Sequence, residues 1–258
     1  MFKLALNAGH YKYTAGKRCH KDIDPNQTRE WVLNNRICTK IEKILSEYDG
    51  IEVLRIDDTT GEKDIALKNR TDKANKWGAD FWLGVHHNAA GKKFSGGGIV
   101  SYVYTTPDKA SLEWQKALYD ASVKATGLKG NRSTPLAKKN LHEVRETKMP
   151  AVLMECGFMD STVDCPIILT EDFADKIAKA FADVIVEKSG ATGKKAVEEK
   201  NYQCIHTVVK GDSYWKLAQK YLGKGTRYNE IMQLNGITST KLVVGQKIKI
   251  PKKENAKG

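Results

Sequence analysis

The chain has 258 residues, of which 40% are hydrophobic and 29% charged, the make-up of a soluble protein with enough apolar material for one or two packed domains. No run approaches the roughly 18 apolar residues that a membrane span needs. Lys and Arg total 43 against 31 Asp and Glu, a formal charge of +12, which favours an anionic partner, and five irregularly spaced cysteines without a CxxC pair argue for reduced thiols over a disulfide framework.

In chain order, Phe2–Leu6 is a short apolar run that breaks into Asn-Ala-Gly-His, a strand followed by a turn. Trp31, Ile37, Ile41 and Leu45 give residues 28–48 the period of an amphipathic helix. Residues 51–56 read as a strand, and 65–77 as a helix with Asp64 as a possible cap. Residues 81–85 form a strand ending in His86-His87-Asn88, and 99–104 a strand after three glycines. Helix over 112–125, a buried-type strand over 151–154 and a last helix over 172–186 follow. Such alternation predicts an α/β fold, a mainly parallel twisted sheet with helices on both faces.

Residues 189–201 are polar, with small residues and two glycines, and read as a linker between a domain at 1–188 and a second at 202–252. From Tyr202 to Gly258 there are eleven basic and three acidic residues, so this short piece carries +8 of the +12. It reads as βααβ: a strand over 206–209, a turn with a helix N-cap at Lys210-Gly211-Asp212-Ser213, helices over 214–221 and 227–234, and a strand over 242–250.

In an open α/β sheet the site forms beyond the carboxyl ends of the strands. Three expected strands lead there to His10, His86 and Glu155, and Glu30 starts the first long helix. Two imidazoles and a carboxylate make a common zinc set with one position left for water, and a further carboxylate can serve as base. Isolated His and Glu residues also occur as hydrogen-bonding or surface groups, and spacing alone leaves both readings open.

Asn7-Ala8-Gly9-His10, Glu30, Leu67-Lys68-Asn69-Arg70 with Ala74-Asn75, Val85-His86-His87-Asn88-Ala89, and Pro150 to Phe158 around Glu155 occur in this order. Together they resemble the zinc-dependent N-acetylmuramoyl-L-alanine amidases of the Amidase_3 type, which include autolysins and endolysins. The resemblance covers residues 1–188. It implies zinc held by His10, Glu30 and His86, with Glu155 passing a proton from water to the leaving amine of L-alanine. Residues 204–251, with His206 to Ala218, Leu234-Asn235-Gly236-Ile237 and Val244 to Pro251, resemble a LysM domain. That implies binding of peptidoglycan glycan between the turn Gly211-Asp212-Ser213 and the loop Asn235-Gly236-Ile237. Trp215 reads either as an exposed sugar-stacking aromatic or, the favoured reading, as part of the small core.

Around these residues, Asn88 shares the His86 side of its strand and is expected to orient the site, while His87 points to the other face. Arg145 is a candidate for holding substrate carboxylates, with a plain surface role equally open. Cys19 and His20 read as loop residues, and Cys156 as packed and inert. The basic second domain suits the anionic polymers of a bacterial wall. Nucleic acid fits worse, for want of a groove-reading helix or zinc finger. The short apolar patch before Asn7 is no signal-peptide core, so the expected course is synthesis in the cytoplasm and action on the wall after holin-mediated or lytic release. A phage or prophage endolysin is the favoured reading. A host autolysin, a stem-peptide metallopeptidase and an inactive wall-binding scaffold are the alternatives, the last disfavoured by the presence of all four site residues.

Overall fold

The structure, a computed structural model, describes residues 1–193 and 202–252. The chain divides into two compact units after Lys194, each with its own hydrophobic core. The first unit runs β1 (Phe2–Ala8), α1 (Glu30–Leu45), β2 (Tyr48–Asp49), β3 (Ile51–Arg55), α2 (Leu67–Trp77), β4 (Phe81–Asn88), β5 (Val100–Val103), α3 (Lys109–Thr126), β6 (Leu136–Lys138), α4 (His142–Arg145), β7 (Ala151–Phe158), α5 (Asp164–Ile168), α6 (Glu171–Ser189) and β8 (Thr192–Gly193).

Six of these strands form one sheet in the order β3-β1-β4-β7-β5-β6. The four strands from β3 to β7 are parallel, while β5 runs antiparallel to β7 and carries β6 parallel to itself. The central strands are near-continuous apolar runs because both of their faces are covered. On one face Leu4, Leu6, Phe81, Leu83, Val85, Val152 and Met154 pack under α1, α3 and α6, with Trp114 of α3 stacked on Phe81 at a centroid distance of 3.9 Å. On the other, Ala5, Trp82 and Leu153 meet Ala74 of α2 and Val144 of α4. Side chains alternate along a strand. His86 therefore shares the α2/α4 face with Trp82, and Glu155 shares it with Leu153. His87 falls on the α1 face.

Several local expectations change. Asp64 does not cap α2, which begins at Leu67 after Ala66 with no side-chain cap. Helix α3 starts earlier than its periodicity implies because Asp108 caps it, accepting from the Ser111 amide at 2.6 Å. The short elements β6, α4 and α5 and the β2–β8 pair carry too few residues to show a period. Helix α6 runs on to Ser189, and Thr192–Gly193 pair antiparallel with Tyr48–Asp49. The first five residues of the expected linker thus complete the first unit, and 194–201 lie outside the described residues.

The second unit is β9 (Tyr202–Thr207), α7 (Tyr214–Leu222), a single 3-10 turn at Gly225–Arg227, α8 (Tyr228–Leu234) and β10 (Lys247–Pro251), with β9 and β10 antiparallel. Its core is built from Val208, Tyr214, Leu217, Leu222, Ile231, Ile248 and Ile250. The strand expected over 242–250 is confined to β10, because Gln246 N–H turns back onto the Val243 carbonyl and Gly245 N–H onto that of Val208. Trp215 is not packed in this core: Tyr214 takes the buried place and Trp215 is 54% exposed. Among the described residues, no helix is long and apolar enough to cross a membrane.

Candidate metal centre

His86 and Glu155 are register partners on the adjacent parallel strands β4 and β7. Neither follows the end of its strand, as the sequence implies; both lie within the strand, toward its carboxyl end. His10 comes two residues after β1, with φ at +67°, a conformation a non-glycine residue adopts only when its surroundings hold it there. The buried guanidinium of Arg70, on α2, supplies that hold. Its Nη2 donates to the His10 carbonyl at 2.9 Å, Nη1 to the Ala8 carbonyl at 3.0 Å and to Asn7 Oδ1 at 2.9 Å, and Nε to the Ile65 carbonyl at 2.8 Å.

Glu30 is the first residue of α1 and is fully buried. Its Oε2 lies 3.3 Å from His10 Nε2 and its Oε1 3.3 Å from His86 Nδ1. One ligand atom from each of His10, Glu30 and His86 can be chosen so that all lie within 4.8 Å of one another. Gly9 makes this approach possible, since a Cβ there would stand 2.0 Å from the His86 ring. Asn34, one turn along α1, orients the carboxylate: its Nδ2 donates to Glu30 Oε1 at 3.4 Å and to the Gly9 carbonyl at 3.1 Å. Its Oδ1 meets His87 Nδ1 at 2.8 Å, so His87 faces away from the cluster, as strand alternation requires.

Burial works against the charge of Glu30, but the His86 contact and the nearby His10 outweigh it and hold this carboxyl down, to about 2. Burial lowers His10 to about 4, against the pull of Glu30. Desolvation opposes a charge on His86 too, yet Glu143 and Glu30 on either side raise it to about 10. Glu155 goes the other way, pushed up to about 7 chiefly by burial. The cluster opens into a cleft of about 510 Å³ whose lining includes Lys17, Asp64, Asn88, Lys139, His142 and Glu143. Glu30 Oε2 and Glu155 Oε2 are buried oxygens with no hydrogen-bond partner. Two imidazoles and an orphaned carboxylate oxygen fit a zinc ion, a donor set matched to that metal.

The structure thus brings together His10, Glu30, His86, Glu155 and Asn88. It does not bring Arg145 to the cleft. That guanidinium pairs on the surface with Glu146 at 2.6 Å and with Asn140 at 2.7 Å. The reading from sequence also leaves out Glu143 and Lys17. Glu143 is buried with Oε1 3.1 Å from His86 Nε2, and Lys17 Nζ is 3.7 Å from Glu30 Oε2. Neither ends a strand, so the strand-end rule passes over both. Asn34 carried a signal, its spacing of four from Glu30 on one helix face.

In the second unit, the side chains singled out for glycan contact serve the local fold. Asp212 Oδ2 accepts from the Val209 amide at 2.7 Å and lies 2.8 Å from His206 Nε2. Ser213 caps α7 by accepting from the Lys216 amide at 3.2 Å. Asn235 ties α8 to β10, donating to the Lys249 carbonyl at 2.7 Å and accepting from its amide at 2.8 Å. Gly211 and Gly236 adopt positive φ, and Ile237 packs against the core from partial exposure.

The fold is that of the N-acetylmuramoyl-L-alanine amidases, a class of hydrolases, and residues 4–187 match the model of that family. The chain belongs to the N-acetylmuramoyl-L-alanine amidase family, with a LysM domain matched over 206–251. It is 32% identical over 184 residues to the sporulation-specific N-acetylmuramoyl-L-alanine amidase of Bacillus subtilis, a match spanning 71% of this chain and 66% of that protein. It is 31% identical over 206 residues to the endolysin of Bacillus phage SPP1, spanning 76% and 71%. Among solved structures, the catalytic domain of CwlV from Bacillus (Paenibacillus) polymyxa superposes with a TM-score of 0.65 at 27% identity, covering 74% of this chain and all of that one. The class of activity is peptidoglycan amide hydrolysis, coupled to cell-wall binding by LysM.

Proposed function

We propose that the chain is a zinc-dependent enzyme that cuts the amide between N-acetylmuramic acid and the L-alanine of the stem peptide. The observation that carries this reading is the convergence of His10, Glu30 and His86 beside the cleft, next to a carboxylate, Glu155, with a buried and unpartnered oxygen. Zinc bound by the three residues would supply Lewis acidity toward the amide carbonyl and activate water at neutral pH. Glu155, register partner of His86, takes the proton from the attacking water and returns it to the departing amine. Asn88 lines the same wall and orients the bound amide. Lys17 and Lys139 line the cleft and draw in the stem-peptide carboxylates, the role that Arg145 does not fill. LysM holds the glycan between Gly211-Asp212-Ser213 and Asn235-Gly236-Ile237, through backbone groups, since the side chains are engaged. The excess of eleven basic over three acidic residues from 202 to 258 adds attraction to anionic wall polymers.

The experiment is digestion of purified walls with and without a zinc chelator, counting new amino termini and new reducing ends. L-Alanine amines without reducing ends, lost on chelation and regained with zinc, is the expected result. Chelator-resistant cleavage would sink the metal reading. Glu155→Gln is expected to keep zinc and fold while losing at least about 100-fold in rate, the scale of general-base catalysis.

We read the enzyme as a phage or prophage lysin, supported by the endolysin relative, whose match extends over 76% of this chain. Expression inside a Gram-positive host is then harmless until a pore-forming holin opens the membrane. Lysis without the pore would contradict it. The sporulation-specific relative favours a second reading, a host autolysin, which a matching gene and expression during sporulation would support.

A further inference from the structure

Glu143 takes no part in the proton transfer above, yet it is only 4% exposed and both of its oxygens are engaged. Oε1 lies 3.1 Å from His86 Nε2, and Oε2 accepts from Asn7 Nδ2 at 3.0 Å. Asn7 is itself held one way round, because its Oδ1 accepts from Arg70 Nη1 at 2.9 Å and a guanidinium can only donate. Strand β4 leaves space for the carboxylate at Gly84, where a Cβ would stand 2.6 Å from Glu143 Oε2. The other ring nitrogen of His86, Nδ1, faces Glu30 Oε1 at 3.3 Å.

Resting on the zinc reading, we propose that Glu143 is the positioning carboxylate of the centre: it keeps the His86 proton on Nε2 and turns Nδ1 to the metal. A neutral imidazole has one donor and one acceptor nitrogen, and the hydrogen bond made by one decides what the other offers. An ionised carboxylate only accepts, so the nitrogen that meets Glu143 carries the proton and Nδ1 keeps its lone pair. The residue must be glutamate. Its two oxygens face two donors, His86 Nε2–H and the Asn7 amide, and a glutamine would turn an NH₂ toward one of them. Donation therefore converges on Glu143 from two sides, from Arg70 through Asn7 on one and from His86 Nε2–H on the other. Groups that hold a ligating histidine in this way contribute about 10–100-fold to metal affinity.

The test uses the full chain and zinc alone. Zinc affinity is measured by competition with a chromophoric chelator for wild type, Glu143→Gln, Glu143→Leu and Gly84→Ala, the last displacing the carboxylate from its recess. The protonation of His86 in zinc-loaded wild type is read by long-range ¹H–¹⁵N correlation. The expected results are Nε2 protonated with Nδ1 bound to metal, and affinity about 10–100-fold weaker in the variants at retained secondary structure. Metal on Nε2, or Glu143→Gln and Glu143→Leu within twofold of wild type, would overturn the proposal. If the leucine variant does not fold, the glutamine variant and the wild-type spectrum decide. A wild type that takes up no zinc would instead bring down the metal reading itself, a result distinct from zinc bound through the wrong nitrogen.

Discussion

Arg70 shows how one residue of a short motif is required by its surroundings. Its guanidinium makes four hydrogen bonds at three of its nitrogens, three of them to backbone carbonyls on both sides of the cluster. A lysine has a single ammonium and cannot span those acceptors. Arg70→Lys is therefore expected to destabilise the first unit by about 2–4 kcal/mol, as buried acceptors lose a charged donor, and to weaken zinc binding as His10 relaxes from positive φ. Thermal denaturation with and without zinc checks this, and an unchanged midpoint would contradict it. Asn235 makes the same point in the second unit. The sequence marks it as a glycan contact, but both ends of its amide are used on Lys249. Asn235→Ala should cost about 1–3 kcal/mol of LysM stability, seen as an earlier unfolding transition. A variant with native stability and lost glycan binding would restore the contact role.

At the scale of elements, the helices that build the scaffold differ in how they begin. Asp108 accepts from the Ser111 amide at the start of α3, and Thr170 from the Phe173 amide at 3.2 Å at the start of α6. Helix α1 has no side-chain cap. Its first residue is Glu30, and the positive end of the helix favours an anion there. This terminus carries no side-chain cap at Arg29 and presents the Glu30 carboxylate to His10 and His86. Asp108→Ala is expected to cost about 1 kcal/mol, lowering the midpoint of a unit this size by about 2–4 °C with wall hydrolysis unchanged at 25 °C. A loss of activity at 25 °C would mean that α3 influences the cleft. The register of β4 and β7 matters more for function than either helix cap: one residue of slip would carry His86 or Glu155 to the opposite face of the sheet.

For the molecule as a whole, the two units have separate cores, and the charge is concentrated in the smaller one. Residues 1–193 alone are expected to bind zinc and hydrolyse soluble muropeptide at the full-chain rate, and to lose most of their activity on whole walls. Equal activity of the two forms on walls would refute a targeting role for LysM. Raising the salt concentration should shrink the full chain's advantage, since attraction to anionic polymer is screened within about 10 Å at 0.1 M. All five cysteines are free, and four of them are buried, so neither unit relies on a disulfide.

The order of the longer strands and helices, the mainly parallel sheet and the residue types of the centre are legible along the chain. Apolar runs such as Leu4-Ala5-Leu6 and the period of 31–45 are local properties, and His10, Glu30, His86 and Glu155 stand in motifs that resemble a known family. The βααβ plan of 202–252 is legible for the same reason, although the turn at 243–246 shortens its last strand to Lys247–Pro251. Which side chains meet is set by tertiary packing. Arg145 and Glu143 lie two residues apart on one short helix, yet the first turns to Glu146 on the surface and the second to His86, fifty-seven residues away. Asp212 and Asn235 likewise prove engaged within their own unit. The physical reason is that a hydrogen-bond partner depends on strand register, strand face and helix placement. These follow from the packing of distant segments, whereas periodicity and composition report only on a residue's neighbours along the chain.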